Sequence, residues 1–242
     1  MPWVLVALLS AAVLVLGTLL FTREGELAAL RATPPATFTV PAEPSASASS
    51  ETPDPEVIAL MKSLPRRKAS DPTARGKVDA PVVMIVWSDY RCPFCAKWAT
   101  TTLKDLQPYV DSGSLRIESR DLVLFGEESQ LAAVAARAAG NQGKYWEFHD
   151  AVFAAAPASG HPTIKKADVL AFAKTAGVPD LAKFSKDLSS NSLDAAVTAD
   201  TNEARQLGIS GTPFFLINTT PINGAQPTEA FVQAIEASGG HR

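Results

Sequence analysis

The stretch Val82-Val83-Met84-Ile85-Val86-Trp87 leads through Ser88-Asp89-Tyr90-Arg91 into Cys92-Pro93-Phe94-Cys95, which holds the only two cysteines of the 242-residue chain. The apolar, β-branched run 82–87 is typical of a strand buried on both faces. Pro93 fits the first turn of a following helix, where its missing N–H costs little. A Cys-x-x-Cys pair at such a strand-to-helix turn indicates thiol–disulfide exchange.

The helix predicted to follow Cys92 assigns different chemistry to the two thiols. Unpaired N–H groups and the helix dipole favour negative charge at a helix N-terminus. We therefore expect Cys92 to be the attacking thiolate. Cys95 lies three residues further on the same helical face, so we expect it to resolve the mixed disulfide formed at Cys92.

Two other uses of the cysteine pair are weaker hypotheses. A static disulfide between residues 92 and 95 would close too short a loop to remove much chain entropy. A zinc site needs four ligands, but His241 lies in the tail, and His149 and His161 are not spaced as a pair. No metal and no cofactor is therefore predicted.

The order of the remaining elements predicts an α/β domain. Leu115 to Asp121 is predicted as a second strand and 214–217 as a third, with a hairpin turn at Asn223-Gly224 and a last helix from Pro227. Between them, Ala-rich segments that end at glycines predict helices at 129–139, 144–155, 166–176, 180–188 and 192–207. The expected architecture is a mixed central sheet with flanking helices, which is the thioredoxin fold, with an inserted helical domain at about 127–207.

The N-terminal part differs in composition. Residues 3–21 carry no charge and are long enough to cross a bilayer core. No basic residue precedes them and Thr22-Arg23-Glu24 is a poor cleavage site, so residues 1–22 are predicted to be a retained transmembrane helix. Residues 23–69, rich in Pro, Ala and Ser, are predicted to be a flexible tether with a short amphipathic segment at 56–64.

Charge and chemistry together suggest where the folded domain, predicted at 70–238, resides. The formal net charge of −3 and the scattered basic residues argue against nucleic acid as a partner. The charges that flank the apolar run are mixed and point only weakly towards keeping the C-terminal part inside, so charge alone does not decide the orientation. Because disulfides persist outside the reducing cytosol, the domain is predicted to be extracytoplasmic, on a single-pass anchor in the cell membrane.

Three segments carry a family resemblance: Ser88 to Cys95 with the preceding Asp71-Pro72 and Asp79 to Val83, Ala136 to His149, and Gly208 to Phe215. They resemble the active-site strand, the helical insertion and the cis-proline loop of the DsbA family of exported thiol–disulfide oxidoreductases, most of all its membrane-tethered branch in Gram-positive bacteria. The similarity covers about 70–235. It implies Cys92 as nucleophile, Cys95 as resolving thiol and Thr212-Pro213 as the loop that docks the substrate backbone.

The resemblance also implies partners, and the chain departs from the family at one buried position. The implied substrates are unfolded or reduced exported proteins, and a quinone-linked membrane oxidase would reoxidise the dithiol. Val86 stands where the family often has an acidic residue, so a buried carboxylate that could serve Cys95 is missing there. Asp89 is the candidate substitute for proton transfer, and Tyr90 beside it is a candidate for proton transfer or for a docking groove.

A second departure lies between the cysteines, where Pro93 and Phe94 are expected to tune the dithiol. The strongest oxidants of the family have Pro-His there, and a phenylalanine neither donates a hydrogen bond nor carries charge. We therefore predict a less depressed thiol pKa and a less oxidising potential than in the Pro-His proteins. Trp87, Tyr90 and Trp98 flank the motif and either line an apolar docking groove or fill the core.

The sequence leaves several functions open. The leading hypothesis is an extracytoplasmic oxidoreductase that introduces or exchanges disulfides in exported proteins through Cys92 and Cys95. The same residues could act as a reductase or isomerase, because direction depends on the potentials of the partners. The alternatives are a non-catalytic tethered binding module for an exported client and a metal chaperone, which lacks a third ligand at a useful spacing.

Overall fold

A computed structural model describes residues 54–242 and shows ten helices and five strands in this range. The helices are α1 (Pro55–Ser63), α2 (Pro93–Thr100), α3 (Thr102–Asp105), α4 (Gln107–Ser112), α5 (Glu127–Gly140), α6 (Tyr145–Ala154), α7 (Lys166–Thr175), α8 (Leu181–Asp187), α9 (Asn191–Gln206) and α10 (Thr228–Ala237). The strands are β1 (Ala74–Arg75), β2 (Val82–Ser88), β3 (Leu115–Asp121), β4 (Phe214–Ile217) and β5 (Thr220–Asn223).

The predicted anchor at 1–22 and the part of the predicted tether up to residue 53 lie outside the described residues. Within 54–242, no helix is both long enough and apolar enough to cross a membrane.

The strands form one mixed sheet in the order β1-β3-β2-β4-β5. β2 and β3 are parallel, from Val82 opposite Leu115 to Ser88 opposite Asp121, and α2 to α4 connect them. All other neighbours are antiparallel. The apolar run of β2 is buried in the centre of this sheet, as the sequence predicts for a strand covered on both faces. The mixed sheet with flanking helices is the predicted thioredoxin-like arrangement.

The helical insertion consists of α5 to α9, between β3 and β4. Its five helices match the five predicted from the glycine-punctuated pattern, with ends shifted by a few residues. α5 packs against α6, α8 and α9. Small side chains allow this close approach, and the buried face of α5 includes Ala132, Ala133, Ala135, Ala136, Ala138 and Ala139.

The segment before β1 packs on the sheet, which corrects the predicted extent of the tether. Met61 and Leu64 pack against the apolar cluster on one sheet face. The backbone N–H groups of Arg66 and Arg67 each donate a hydrogen bond of 2.8 Å to the carboxylate of Glu118 in β3. The folded unit therefore includes α1 and the residues after it, and the predicted boundary at residue 70 is wrong.

The hairpin between β4 and β5 turns at Asn218-Thr219, so the predicted turn at Asn223-Gly224 is wrong. Asn218 adopts a φ of 50°, a left-handed conformation that asparagine tolerates better than most residues. Its Oδ1 accepts a hydrogen bond of 2.9 Å from the backbone N–H of Val83, which ties the turn to β2. Gly224 has a φ of 76°, but it lies after the end of β5 and not in the turn between β4 and β5.

Charged side chains occupy the face of β3 that packs against α9. Glu118 pairs with Arg116 at 2.9 Å and with Arg120 at 3.0 Å, while Asp200 of α9 pairs with Arg66 at 2.6 Å. We call these five residues the Glu118 cluster. Burial alone would raise the pKa of Glu118, but hydrogen bonds from Arg116 and from the backbone before β1 lower it to about 2. Buried charge is tolerated here because each member has a partner.

Candidate active site

Cys92 occupies the N-cap position of α2, where β2 has turned into the helix. Its Sγ lies 3.3 Å from the carbonyl oxygen of Thr212, in the loop before β4. The Thr212–Pro213 peptide bond in this loop is cis. The structure thus brings together the two segments that the sequence predicts to form the site, although 120 positions separate them.

The two thiols have opposite acidities. The pKa of Cys92 is lowered to about 6, mainly because the Cys95 thiol donates a hydrogen bond to its sulfur. The backbone N–H groups of Phe94 and Cys95, at the start of α2, act in the same direction. Burial raises the pKa of Cys95 well above its usual range, and the neighbouring Cys92 adds to this. At neutral pH the negative charge therefore resides on Cys92, the form needed for attack on a disulfide.

The carboxylate of Asp89 holds the turn that carries the dithiol. Its Oδ1 accepts hydrogen bonds of 2.8 Å from the N–H of Arg91 and from the hydroxyl of Ser129. Its Oδ2 accepts hydrogen bonds from the N–H groups of Leu124 and Phe125, at 2.8 and 3.4 Å. The bond from Arg91 closes the active-site turn, and the other three connect this turn to the start of the helical insertion. The predicted proton-transfer candidate therefore lies in the site with its carboxylate engaged in fixing the loop.

Arg91, directly before the dithiol, links the site to the insertion, and sequence reasoning missed it. Its Nε donates a hydrogen bond of 2.7 Å to the carbonyl of Pro162, and its guanidinium also bonds the carbonyl of Phe125 and pairs with Glu128 at 2.9 Å. His161 Nδ1 lies 2.9 Å from the carbonyl oxygen of Arg91. The sequence signal for Arg91 was its position next to the Cys-x-x-Cys motif. Its partners lie in loops or at the start of a helix, and no motif marks them.

The aromatic residues near the dithiol divide into core and surface. Trp87, Tyr90 and Trp98 are all buried, and Tyr90 stacks on Phe153 with ring centroids 5.1 Å apart. These three fill the core rather than line a groove. The side chain of Phe94, by contrast, is 62 % exposed beside Cys92.

An apolar groove of about 600 Å³ adjoins Phe94. One wall is α2, from Pro93 to Thr100, and the other is the end of α6 with the residues up to Gly160. Phe153 and Pro157 contribute apolar surface to the second wall. The groove begins at Pro93 and Phe94, the two residues that follow Cys92 in the chain.

A metal-binding arrangement is not seen in the part of the chain that the structure describes. Among residues 54–242, no group of three or more His, Cys, Asp or Glu side chains is placed to hold a metal ion. His149 is buried and packs between Trp146 and Phe153, with ring centroids 5.1 and 4.7 Å away. His161 faces the Arg91 carbonyl instead of the thiols.

Comparison with known proteins agrees with this geometry. The family described as thioredoxin matches residues 68–237. A probable disulfide bond formation protein D from Bacillus cereus is 30 % identical over 148 residues, which cover 59 % of this chain and 68 % of that protein.

Solved structures share the fold. Oxidised BdbD from Bacillus subtilis superposes with a TM-score of 0.64 at 22 % identity, over 69 % of this chain and 91 % of that one. The thiol–disulfide exchange protein alpha-DsbA2 from Wolbachia pipientis gives a TM-score of 0.61 at 22 % identity, over 74 % of this chain and 96 % of its own. With the dithiol at the helix start and the matched family, the chain belongs to the DsbA family of thiol–disulfide oxidoreductases, within the thioredoxin fold.

Proposed function

We propose that this protein introduces disulfides into exported proteins outside the cytoplasm, with Cys92 as the attacking and Cys95 as the resolving thiol. The observation that carries the proposal is the asymmetry of the pair: the pKa of Cys92 is about 6 while that of buried Cys95 is raised. A thiol of low pKa leaves readily from a mixed disulfide, which favours transfer of the disulfide to a client.

The proposed disulfide transfer takes two steps. A client thiolate attacks Cys92 Sγ of the oxidised enzyme, the Cys92–Cys95 bond breaks, and Cys95 leaves with the electron pair and takes up a proton. A second client thiolate then attacks the client sulfur of the mixed disulfide, and Cys92 leaves as a thiolate. The client gains a disulfide, and two electrons remain on the enzyme as the reduced dithiol.

Client docking is proposed on the two surfaces that flank Cys92. The cis Thr212–Pro213 loop offers backbone groups within reach of the reactive sulfur. The apolar groove beside Phe94 provides a surface for hydrophobic side chains, which reduced and unfolded proteins expose. Together they favour unfolded chains over folded ones as substrates.

The proposed setting is the outer face of the cell membrane, with residues 1–22 as the anchor and a quinone-linked membrane oxidase as the partner that reoxidises the dithiol. Support comes from the uncharged run at 3–21 and from the stability of disulfides outside the reducing cytosol. In intact cells, a membrane-impermeant thiol reagent should label Cys92. Labelling that appears only after lysis would contradict this placement.

The enzymatic proposal is tested by oxidative refolding of a reduced disulfide-containing protein with the full-length enzyme. The oxidised wild type should restore client activity, Cys92→Ser should abolish transfer, and Cys95→Ser should accumulate a mixed disulfide through Cys92. Measurement of the potential in glutathione buffers in parallel fixes the direction of exchange. A Cys92→Ser enzyme that still supports refolding would sink the proposal and favour a binding module, and a potential near those of reductases would favour disulfide reduction.

A further inference from the structure

The thiol of Cys95 needs a proton partner that its immediate neighbours do not supply. Its side chain is completely buried, so each opening of the disulfide requires a proton and each closure releases one. Val86, on the strand below, has no polar group. The carboxylate of Asp89 is committed to four hydrogen bonds that fix the turn.

A path to a buried carboxylate runs through the ends of the two parallel strands. Ser88 ends β2 and lies in register with Asp121, which ends β3. Paired residues of neighbouring strands point to the same sheet face, and alternation along β2 puts Ser88 on the face of Val86, where Cys95 packs. Hydrogen bonding from the Ser88 side chain acts on the Cys95 thiol and lowers its pKa against the effect of burial. Cys95, Ser88 and Asp121 therefore form a row beneath the dithiol.

Asp121 is surrounded by polar groups and by charged groups of both signs. Its Oδ2 accepts a hydrogen bond of 2.6 Å from Arg137 Nε, and the other side of this guanidinium pairs with Asp200. The titratable and charged groups around Asp121 come from the helices α5, α6 and α9 and from the active-site turn, and they are Arg137, Tyr145, Asp200, Asp89 and Tyr90. Burial first, and then the carboxylates of Asp200 and Asp89, raise the pKa of Asp121 against the effect of Arg137.

We propose that Asp121 exchanges the Cys95 proton through the hydroxyl of Ser88. The inference rests on the proposed role of Cys95 as the resolving thiol. During closure, Ser88 takes the Cys95 proton as it gives its own to Asp121. The electron pair of the Cys95 sulfur forms the bond to Cys92, and the client sulfur leaves with the pair of the broken bond. During opening, the proton returns along the same row to the Cys95 sulfur.

Asp200 is a matched control for Asp121. Both carboxylates are buried, with side chains 4 % and 3 % exposed, and both pair with Arg137. Only Asp121 lies in register with Ser88, since Asp200 belongs to α9 and also pairs with Arg66. A purely structural role predicts similar behaviour of Asp121→Asn and Asp200→Asn, whereas proton exchange predicts an effect of Asp121→Asn alone.

The experiment follows closure of one mixed disulfide in the reduced full-length protein. Glutathione disulfide forms the adduct at Cys92, and acid quenching with intact-mass spectrometry measures its decay from about pH 5.5 to about pH 9. In the wild type the decay rate should change little with pH around neutrality, where Asp121 accepts the proton. In Asp121→Asn, decay at neutral pH should slow by roughly tenfold to a hundredfold and rise about tenfold per pH unit, because the proton must then go to solvent.

Three results separate the possibilities. Asp200→Asn should decay within about twofold of the wild type, with the same pH profile. Ser88→Ala removes no charge and should reproduce the slowed, pH-dependent decay, which keeps a test available if Asp121→Asn fails to fold. A wild-type pH profile in Ser88→Ala or Asp121→Asn, or equal slowing in the two aspartate variants with unchanged profiles, overturns the inference. A wild-type adduct that never resolves would instead overturn the role of Cys95 on which it rests.

Discussion

The two faces of the central sheet are both buried, but they are built from different chemistry. The face below the dithiol carries Val82, Met84 and Val86 of β2 and belongs to the large apolar core. On the opposite face, Arg116, Glu118 and Arg120 of β3 lie beside Val83, Ile85 and Trp87 of β2. One strand pair thus has a largely apolar side below the dithiol, with one charged residue, Asp121, at the end of β3, and a charged side that fixes the N-terminal segment.

The two sheet faces should differ in how well they tolerate side-chain substitutions. Apolar contacts are non-directional, so the core below the dithiol tolerates exchange of similar side chains. A buried charge is stable only while all its partners remain, so loss of one member leaves others unpaired. We therefore expect substitutions on the charged face to have the largest effects on the free energy of unfolding. The pKa of the dithiol should depend on local hydrogen bonds.

The largest expected effect concerns the centre of the charged face. Glu118→Gln leaves the buried guanidinium of Arg116 without a counter-charge and that of Arg120 with only the 3.5 Å contact to Glu203. It should lower the free energy of unfolding by about 3–5 kcal/mol. Glu203→Gln is the matched control, because Glu203 is 30 % exposed and pairs with Arg66 and Arg120 at the edge. Its loss should cost less than about 1 kcal/mol in urea unfolding. Equal losses in the two variants would contradict the comparison.

The stability of the protein at low pH should also depend on Glu118. The folded-state pKa of Glu118 is about 2, below the usual 4.5, so its contribution is fully present above pH 4.5 and is lost as the pH falls towards 2. The loss amounts to about 3 kcal/mol. Urea midpoints at decreasing pH should therefore fall more steeply in the wild type than in Glu118→Gln. Parallel pH profiles of the two proteins would show that Glu118 does not carry the acid sensitivity.

The apolar face could be predicted from sequence because its signals are local. The run at 82–87, the Cys-x-x-Cys spacing and Pro93 lie within fourteen residues of chain. Burial on both faces and the helix start follow from this stretch alone. The order of elements and the helix-ending glycines then sufficed for the fold and for the insertion. Thr212-Pro213 was reached through family resemblance, since nothing local connects it to the cysteines.

The charged face could not be predicted because its partners are distant in sequence. Glu118 lies about 50 positions from Arg66 and Arg67, and Arg66 lies 134 positions from Asp200. Composition alone assigned Arg66 and Arg67 to the tether, although their N–H groups bind the sheet. The hairpin was misplaced for a related reason: Asn218 is fixed by a hydrogen bond to β2, a tertiary contact that overrides the local Asn-Gly signal.

A smaller effect tests whether acidity at the dithiol is local. The rate of Cys92 alkylation should follow a pKa of about 6, because the largest lowering influence is the hydrogen bond from Cys95. Cys95→Ala should shift this midpoint upward by about one to two pH units, the value of a hydrogen bond to a charged group. Glu118→Gln, on the other face, should leave it unchanged. A shift in Glu118→Gln as large as in Cys95→Ala would mean that the charged face also sets the acidity.

The smallest expected effect concerns the residue between the cysteines. Phe94 is largely exposed and offers no hydrogen bond or charge to Cys92, so a histidine there should stabilise the reduced, thiolate form. Phe94→His should make the protein more oxidising by about 30 mV, equivalent to about 1.4 kcal/mol, in glutathione redox buffers. Phe94→Gln is the control, because it adds polarity without charge and should change the potential less. The effect stays small because solvent screens a charge on an exposed side chain. A wild-type potential already near the strongest oxidants of the family would show that the missing histidine does not limit oxidising strength here.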